Sequence, residues 1–566
     1  MQPVEPFLHS PRIAYFTMEI ALRSEIPTYA GGLGVLAGDT IRTAADLDMP
    51  MVAVSLVSRA GYFQQSIDSE GRQHEAPQPW DPAQWATRLE AMIAVDLGGR
   101  VVWVGGWLYI MQSQTGTRQP VILLDTDLSE NSDDDRTITH YLYGGDERYR
   151  LQQEAILGIG GVRMLQALGF DIRQYHLNEG HSALLGVELL RRYAFPAEDL
   201  RPGESAYDIP RVRELCNFTT HTPIEAGHDK FAYPLVEEVI DEIIDKPVLH
   251  RLGGDDRLNM TLLALNLSEY VNGVAIRHAE VSAKMFPGYH VRAVTNGVHP
   301  ATWTHESFVK LYDSHLAGWC NEPEILVRAD HAISHDAIWQ AHLEAKQTLI
   351  DYLRQNCEQQ FDPAVATFGF ARRMTAYKRP DLVFTDLERL KGMAKKFPLQ
   401  FVIAGKAHPR DEAGKSLIKE IHSVAKELKD DIRIVFLPDY DMALGKLLVA
   451  GVDVWLNTPL RPLEASGTSG MKATFNGVPN LSILDGWWVE GCVEGITGWS
   501  IGDGPEGSND GDARALYDKL EQVVLPLYYE DRNGWIDVMK GAIAKNASYF
   551  NSHRMMRRYA AEAYIR

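Results

Sequence analysis

Three segments bring chemically capable residues together along the chain. FARRMTAYKRP, residues 370–380, carries Arg372, Arg373, Lys378 and Arg379 directly after the apolar run VATFGF. Arginine chelates phosphate oxygens and lysine supplies a point charge, so four cations at the end of a buried strand point to an anion pocket. A solvated basic helix start is the competing explanation. LEASGTSGMKATFNG, residues 463–477, crowds the small residues Ser466 to Gly470 in front of Lys472. Backbone amides of such a stretch, together with a helix N-terminus, can cradle an anion, although the P-loop spacing is absent. IPTYAGGLGVLAGD, residues 26–39, holds Gly31, Gly32 and Gly34, which allow either close backbone approach to a ligand or a tight turn.

A lysine beside a phosphate-cradling loop fits a Schiff base with pyridoxal phosphate, which brings both an aldehyde and a phosphate. A capped helix followed by a surface lysine would explain the same spacing. The elements that must hold these segments are legible as short apolar runs. RIAYFTM, MVAVSLV, VVWVGG and PVILLD in the first half read as buried strands, as do VATFGF, LQFVIAG, IRIVFLP, VDVWLN and NLSILDG in the second. Helical segments separate the second set, which predicts a doubly wound parallel sheet with ligands beyond the carboxyl ends of its strands. RLQQEAILGIGGVRMLQALG, from Arg150, reads as a helix whose internal glycines serve close packing rather than dinucleotide binding. The first half is also α/β. TNGVHPATW breaks regular structure near Thr295, so the expected architecture is two Rossmann-like lobes, 1–294 and 295–566, facing a deep cleft.

Composition narrows the function. The 566 residues carry a formal charge of −20, which repels polyphosphate and argues against a nucleic-acid or anionic-membrane binder. Cys216, Cys320, Cys357 and Cys492 show neither a disulfide framework nor zinc spacing. No signal-peptide order and no membrane-length apolar run is present, so a cytoplasmic setting is expected. The acidic stretches SENSDDDR, from Ser129, and GDGPEGSNDGDA, from Gly502, read as surface loops, the second without calcium-loop spacing. His221 and His228 lack a third metal partner, and no metal is expected. Trp487, Trp488, Tyr62 and Phe63 read as core or cleft wall.

The ordered set of segments resembles the α-glucan (glycogen, maltodextrin, starch) phosphorylase family. EASGTSGMK is similar to that family's pyridoxal-lysine signature, FARRMTAYKR to its phosphate-binding segment and GGLGVLAGD to its glycine-rich loop. RLQQE, HLNEGHSAL, TTHTPIEA, TNGVHPATW, AGKAHP and FLPDYDMAL fall in the family's order between about residues 12 and 495. The resemblance implies a GT-B glycosyltransferase architecture, with the last helix able to pack back on the first lobe. It also implies pyridoxal 5′-phosphate on Lys472 and a retaining phosphorolysis of an α-1,4-glucan or maltooligosaccharide by inorganic phosphate to α-D-glucose 1-phosphate. Residue by residue, it places Thr468, Gly467, Ser469 and Arg372 at the cofactor phosphate, with Tyr440 and Trp303 lining the cofactor pocket. Arg373 and Lys378 fall at the substrate phosphate, helped by the backbone of Gly32 and Leu33. Glu464, Ser466 and Gly467 fall at sugar hydroxyls, Asn296 at the primary hydroxyl, His221 under the departing glycosyl unit, and Glu179 and His181 beside the sugar. Ala21 replaces an aromatic near the cofactor, Arg372 a usual lysine and Thr375 a usual histidine. The resemblance is to a short form without the N-terminal regulatory extension, and it is compatible with a homodimer. The alternative is a sugar-nucleotide-dependent glucan glycosyltransferase of the same architecture, which has no use for a cofactor lysine.

Overall fold

The computed structural model describes residues 3–114, 116–201, 203–240, 243–357, 359–502 and 508–565. Among these, the first half builds a large sheet around strand Ile13–Thr17. Its residues alternate faces as strand geometry requires: Ala14 and Phe16 enter one apolar cluster, Ile13 and Tyr15 another. The same alternation places Val52 and Val54 with the first cluster and Met51 and Ala53 with the second. A strand covered on both faces needs an uninterrupted apolar run, which is why these segments are recognisable in the sequence.

In space the strands run 292–293, 270–273, 216–219, 174–178, 13–17, 51–56, 118–125, 100–112 and 87–88, with 93–97 also paired to 100–112. Pairing is parallel from 292–293 through 118–125. The long strand Arg100–Gln112 adds an antiparallel edge. The helical stretch from Glu147 to Ala167, wound wider at Ile156–Gly160, covers one face. Its glycines serve packing, as expected: a Cβ on Gly158 would meet Leu185 N at 2.6 Å, and one on Gly161 would meet Phe16 at 2.5 Å.

The second half forms a six-stranded parallel sheet in the order 433–437, 399–404, 366–371, 454–457, 480–483, 498–501. Its helices begin at side-chain caps: Ser334 accepts from Ala337 N, Asp386 from Arg389 N, Asp411 from Gly414 N and Asp441 from Leu444 N. Two acidic stretches read as loops are ordered by the same chemistry. Ser132 caps the short helix Asp133–Arg136, where Asp135 is buried against Arg100. Ser508 caps helix Asn509–Lys519, where Asp512 is buried between Arg379 and Arg461. Residues 503–507 of the second stretch lie outside the described residues. The chain finally returns to the first sheet. Met555, Met556 and Tyr559 of helix Ser552–Tyr559 join Leu36, Ala37 and Ile41 of helix Gly32–Asp46 in one cluster. On the way, Val298 N donates to Phe550 O at 3.1 Å and Ser552 N to Val298 O at 2.9 Å, so segments 297–298 and 550–552 run side by side.

In each sheet the strand order reverses beside one strand, which has the next strand of the chain on one side and a strand reached only later on the other. Strand 13–17 lies between 51–56 and 174–178, and strand 366–371 between 399–404 and 454–457. Connections on the two sides of such a strand run in opposite directions, and a crevice opens at the carboxyl ends there. The residues that follow are 18–32 and 179–182 in the first sheet, and 372–379 and 458–468 in the second.

The second crevice is pinned from below by a fully buried carboxylate. Asp453 Oδ2 accepts from Lys346 Nζ at 2.6 Å and from Thr367 N at 2.7 Å, while Oδ1 contacts His342 Nε2 at 2.8 Å. This ties helix His335–Asn356 to strand 366–371. Asp453→Ala strands the buried Lys346 charge, so we expect a loss of about 3–5 kcal/mol in unfolding free energy. Denaturant titration checks this, and an unchanged midpoint would show the contact to be inert.

Candidate active site

Strand Ala366–Ala371 delivers its cations to the crevice unequally. Arg379, held at φ 45°, is withdrawn from it: Nε donates to Thr458 O, Nη2 to Pro459 O and to Asp512 Oδ2 at 2.7 Å. It braces the loop, so the expected four-cation pocket contains three. Arg372 and Lys378 converge on one oxygen. Glu464 Oε2 lies 2.6 Å from Lys378 Nζ and 2.6 Å from Arg372 Nη1, the latter without hydrogen-bond alignment. Arg373 makes no ion pair among the described residues. It is exposed, yet protein surrounds it closely enough to desolvate it, with Tyr377, Tyr62 and Glu19 nearby. A side chain both accessible and hemmed in lines a concavity.

The electrostatics favour an anion here. Burial raises the Glu464 carboxyl, but Arg372 and Lys378 outweigh it and hold Glu464 at about 2. Burial also raises Tyr377, yet Lys378 with Arg373 and Arg372 brings the phenol below its ordinary value. Tyr377 therefore senses a net positive field even with Glu464 ionised, in a chain of net charge −20.

Strand Val454–Asn457 leads to the second segment. Gly467, at φ 82°, adopts the left-handed conformation that opens helix Thr468–Thr474, and no side chain caps that helix. Its first amides are left for an outside acceptor. The Ser466 hydroxyl is buried without a partner, whereas Ser469 Oγ is engaged by Trp455 Nε1. Lys472 is buried, and its Nζ sits 3.9 Å from the centre of the Trp303 ring. Burial pulls the amine down to about 8, opposed by Asp39 and reinforced by Arg42 and Arg372. Trp303 and Tyr440 meet at Gly445, where an added Cβ would come within 3.0 Å of the Tyr440 hydroxyl and 3.7 Å of the Trp303 ring. An amine depressed by burial, an aromatic wall, uncapped amides, an orphaned hydroxyl and Arg372 together suit a group bearing an aldehyde, a ring and a phosphate. The residues present thus fit pyridoxal phosphate.

The first sheet supplies a wall organised by two carboxylates that are occupied with backbone amides. Glu19, two residues past strand 13–17, takes the amides of Ala30 at 2.6 Å and Gly31 at 3.1 Å on Oε2, and the Tyr143 hydroxyl on Oε1. This fixes the glycine-rich loop so that helix 32–46 begins at Gly32 and Leu33, with nothing within 4 Å of a Cβ on Gly32. After strand Gln174–Asn178, Glu179 stands at φ 73°, a strained conformation for a residue with a side chain. Its Oε2 accepts from His221 N at 2.7 Å and Thr222 Oγ1 at 2.9 Å, and its Oε1 from Gly180 N. Asn178 Nδ2 donates to Thr17 Oγ1, so Oδ1 is the acceptor facing His221 Nε2 at 2.6 Å. Burial lowers His221 well below its usual value and His181 to about 3, so both rings are neutral. His181 Nδ1 and Asn296 Oδ1 are buried without partners. His228 bonds Thr261 and Met285, and Trp487 and Trp488 lie in the core.

The two carboxyl ends touch. Trp303 Nε1 donates to Asp39 Oδ2 at 2.8 Å, Met442 N to the Tyr29 hydroxyl at 2.9 Å, and Gln65 N to Asp439 Oδ1 at 3.0 Å. Sequence reasoning missed Glu19, Asp39, Tyr143 and Asn178. Only Glu19 and Asn178 carry a signal, their position at the end of a switch-point strand; the others act through partners far along the chain.

A sequence profile of the carbohydrate phosphorylases matches residues 248–494. The chain is similar to a maltodextrin phosphorylase of Thermococcus litoralis, at 40% identity over 98% of this chain and 70% of the relative. It is 36% identical to a glycogen phosphorylase of Mycobacterium tuberculosis, over 98% of this chain and 70% of the relative. A glycogen phosphorylase of Aquifex aeolicus is also 36% identical, over 98% of this chain and 86% of the relative.

Glu464→Gln tests the cation cluster. Removing the charge leaves Arg372 and Lys378 buried without compensation, at a cost of about 3–5 kcal/mol. Inorganic phosphate should then raise the melting temperature of the variant more than that of the wild type. Equal phosphate-induced shifts would show that the three cations do not form an anion site.

Proposed function

The chain belongs to the carbohydrate phosphorylase family, and on that footing we propose that it is a pyridoxal phosphate-dependent α-1,4-glucan phosphorylase. It transfers the non-reducing glucosyl unit of a glucan or maltodextrin to inorganic phosphate and releases α-D-glucose 1-phosphate with retained configuration. The observation that carries this reading is the buried, depressed amine of Lys472 beside a cation cluster whose Arg373 has no ion-pair partner among the described residues. A sugar-nucleotide transferase of the same architecture has no need of that amine.

We divide the chain into an N-terminal lobe, 1–294, and a C-terminal lobe, 295–566, facing across a GT-B cleft, with the last helix returned to the first lobe. Support comes from the two switch points and from hydrogen bonds joining the carboxyl ends of the sheets. In the cleft, Arg373 and Lys378 bind substrate phosphate and the Gly32 and Leu33 amides approach it. Arg372, Gly467, Thr468 and the Ser469 amide would hold the cofactor phosphate, while Trp303 and Tyr440 would wall the ring. When bound, the cofactor would supply a phosphate able to serve as proton partner to the substrate phosphate. Two adjoining phosphates repel, and the three cations lower that cost.

Cleaving a glucosidic bond requires a proton on the leaving oxygen and stabilisation of an oxocarbenium-like carbon. Substrate phosphate, held by Arg373 and Lys378, gives its proton to the glycosidic oxygen as the bond to the anomeric carbon breaks. One of its oxygens then forms the new bond on the same face. Glu179 fixes the His221 peptide, which orients the His221 carbonyl toward the developing positive charge. Asn296 Oδ1 and Ser466 Oγ, both unsatisfied, take sugar hydroxyls, with Glu464 and His181 completing the rim. The His221 and His181 rings are neutral on the sugar side, so neither adds a positive charge that would compete for phosphate. No described helix is long and apolar enough to cross a membrane. We assign the enzyme to the cytoplasm because the product of the proposed reaction is a phosphorylated sugar.

Holoprotein given maltodextrin and inorganic phosphate should release glucose 1-phosphate. No product from fully cofactor-loaded protein would reject the assignment. Arg373→Ala removes a charge-assisted contact of about 1.5–3 kcal/mol, so kcat/KM for phosphate should fall roughly 10- to 150-fold while glucan binding is retained. Lys472→Ala should abolish cofactor retention; normal loading, read from visible absorbance, would refute the lysine assignment.

A further inference from the structure

Helix 32–46 presents Gly32 at its first turn and a polar stripe farther along. Asp39, Arg42, Thr43 and Asp46 fall three or four residues apart, on one face. Each has a partner outside the helix. Thr43 meets Ser552, and Asp46 Oδ2 takes His299 Nε2 at 2.7 Å with His553 Nε2 at 3.4 Å. Arg42 Nη2 donates to the carbonyls of Ala21 and Leu22. Asp39 has no solvent exposure, and its Oδ2 accepts from Trp303 Nε1 at 2.8 Å and His299 N at 3.2 Å. The same Trp303 ring backs the Lys472 amine at 3.9 Å.

We propose that Asp39 is a positioning residue for Lys472: it anchors the Trp303 indole behind the amine and balances the positive charge gathered there. The proposal rests on the reading of Lys472 as the cofactor lysine. Asp39 acts in two separable ways. Its hydrogen bond fixes the plane of the indole, which would otherwise be held by packing alone. Its negative charge attracts the ammonium form of Lys472, while Arg42 on the same helix and Arg372 beyond strand 366–371 repel it. On the remaining side, Lys446 of helix Met442–Gly451 also feels Asp39. Burial and two nearby arginines disfavour the ammonium form, and the aspartate is the attraction that opposes them. One helix thereby joins the glycine-rich approach to substrate phosphate at Gly32 to the cofactor lysine's surroundings at Asp39.

Asp39→Asn separates the two effects, because the amide oxygen can still accept from Trp303 Nε1. Lys472 is titrated in the apoprotein with a small amine-reactive reagent, with the modified peptide quantified by mass spectrometry against pH. Loss of the negative charge disfavours the ammonium form, so the midpoint should move downward by about one pH unit. A folded Asp39→Asn with the wild-type midpoint overturns the charge role. Trp303→Phe keeps the ring and removes the anchored N–H. It should leave the midpoint in place and slow covalent capture of pyridoxal phosphate several-fold, measured by borohydride trapping, and it serves even where Asp39→Asn does not fold. Unchanged capture overturns the anchoring role. Wild-type protein that captures no pyridoxal phosphate at Lys472 would overturn the cofactor reading, while the titration still decides the action of Asp39 on the amine.

Discussion

The site depends on a single carboxylate oxygen that holds two cations. Gathering Arg372, Arg373 and Lys378 behind a buried strand is unfavourable, because the protein interior screens their repulsion poorly and hydrates none of them well. Glu464 Oε2, at 2.6 Å from both Arg372 and Lys378, offsets most of that repulsion without neutralising the site. The depressed phenol of Tyr377 shows that a positive field remains. Electrostatic preorganisation of this kind needs no rearrangement of the cations when an anion arrives. It also explains how a strongly acidic chain can serve phosphate, since the surface charge and the pocket charge are set by different residues.

Around that cluster the fold repeats one device. Each parallel sheet places its chemistry after the strand where the order of connections reverses, and each secures the loop that follows with a buried acid. Glu19 gathers the amides of Ala30 and Gly31, Glu179 those of Gly180 and His221, and Asp485 those of Glu464 and Gly486. Loop backbone that would otherwise fluctuate is thereby fixed by carboxylates rather than by regular secondary structure. The walls differ in charge: neutral histidines beside hydrogen-bonded carboxylates on the first sheet, arginine and lysine around Glu464 on the second. That asymmetry matches a reaction whose two partners are an uncharged sugar and a phosphate.

Much of this was legible in the sequence, for a physical reason. Parallel strands buried on both faces must be continuously apolar, so IAYFT, MVAVSL, ATFGFA and LQFVIA stand out, and the residues just past them are natural site candidates. Local composition could not say which cations share the pocket. Arg379 neighbours Lys378 in sequence but is captured by Asp512, whose partnership spans 133 residues. Asp39 and Trp303 are 264 residues apart. Acidic stretches were also ambiguous, because Ser132 and Ser508 turn a solvated-looking run into a capped helix start whose later aspartate is buried. Such partners are set by the three-dimensional crossing of the chain and leave no periodic trace.

The side-by-side passage of residues 297–298 and 550–552 limits how this molecule can flex. The polypeptide goes from one sheet to the other and comes back through the same spot, where a Cβ on Gly297 would fall 2.1 Å from Asn551 O. The two passages are laced together there by Val298 N to Phe550 O and Ser552 N to Val298 O. Any displacement of one passage along the other would have to give up both of those hydrogen bonds and the close approach at Gly297.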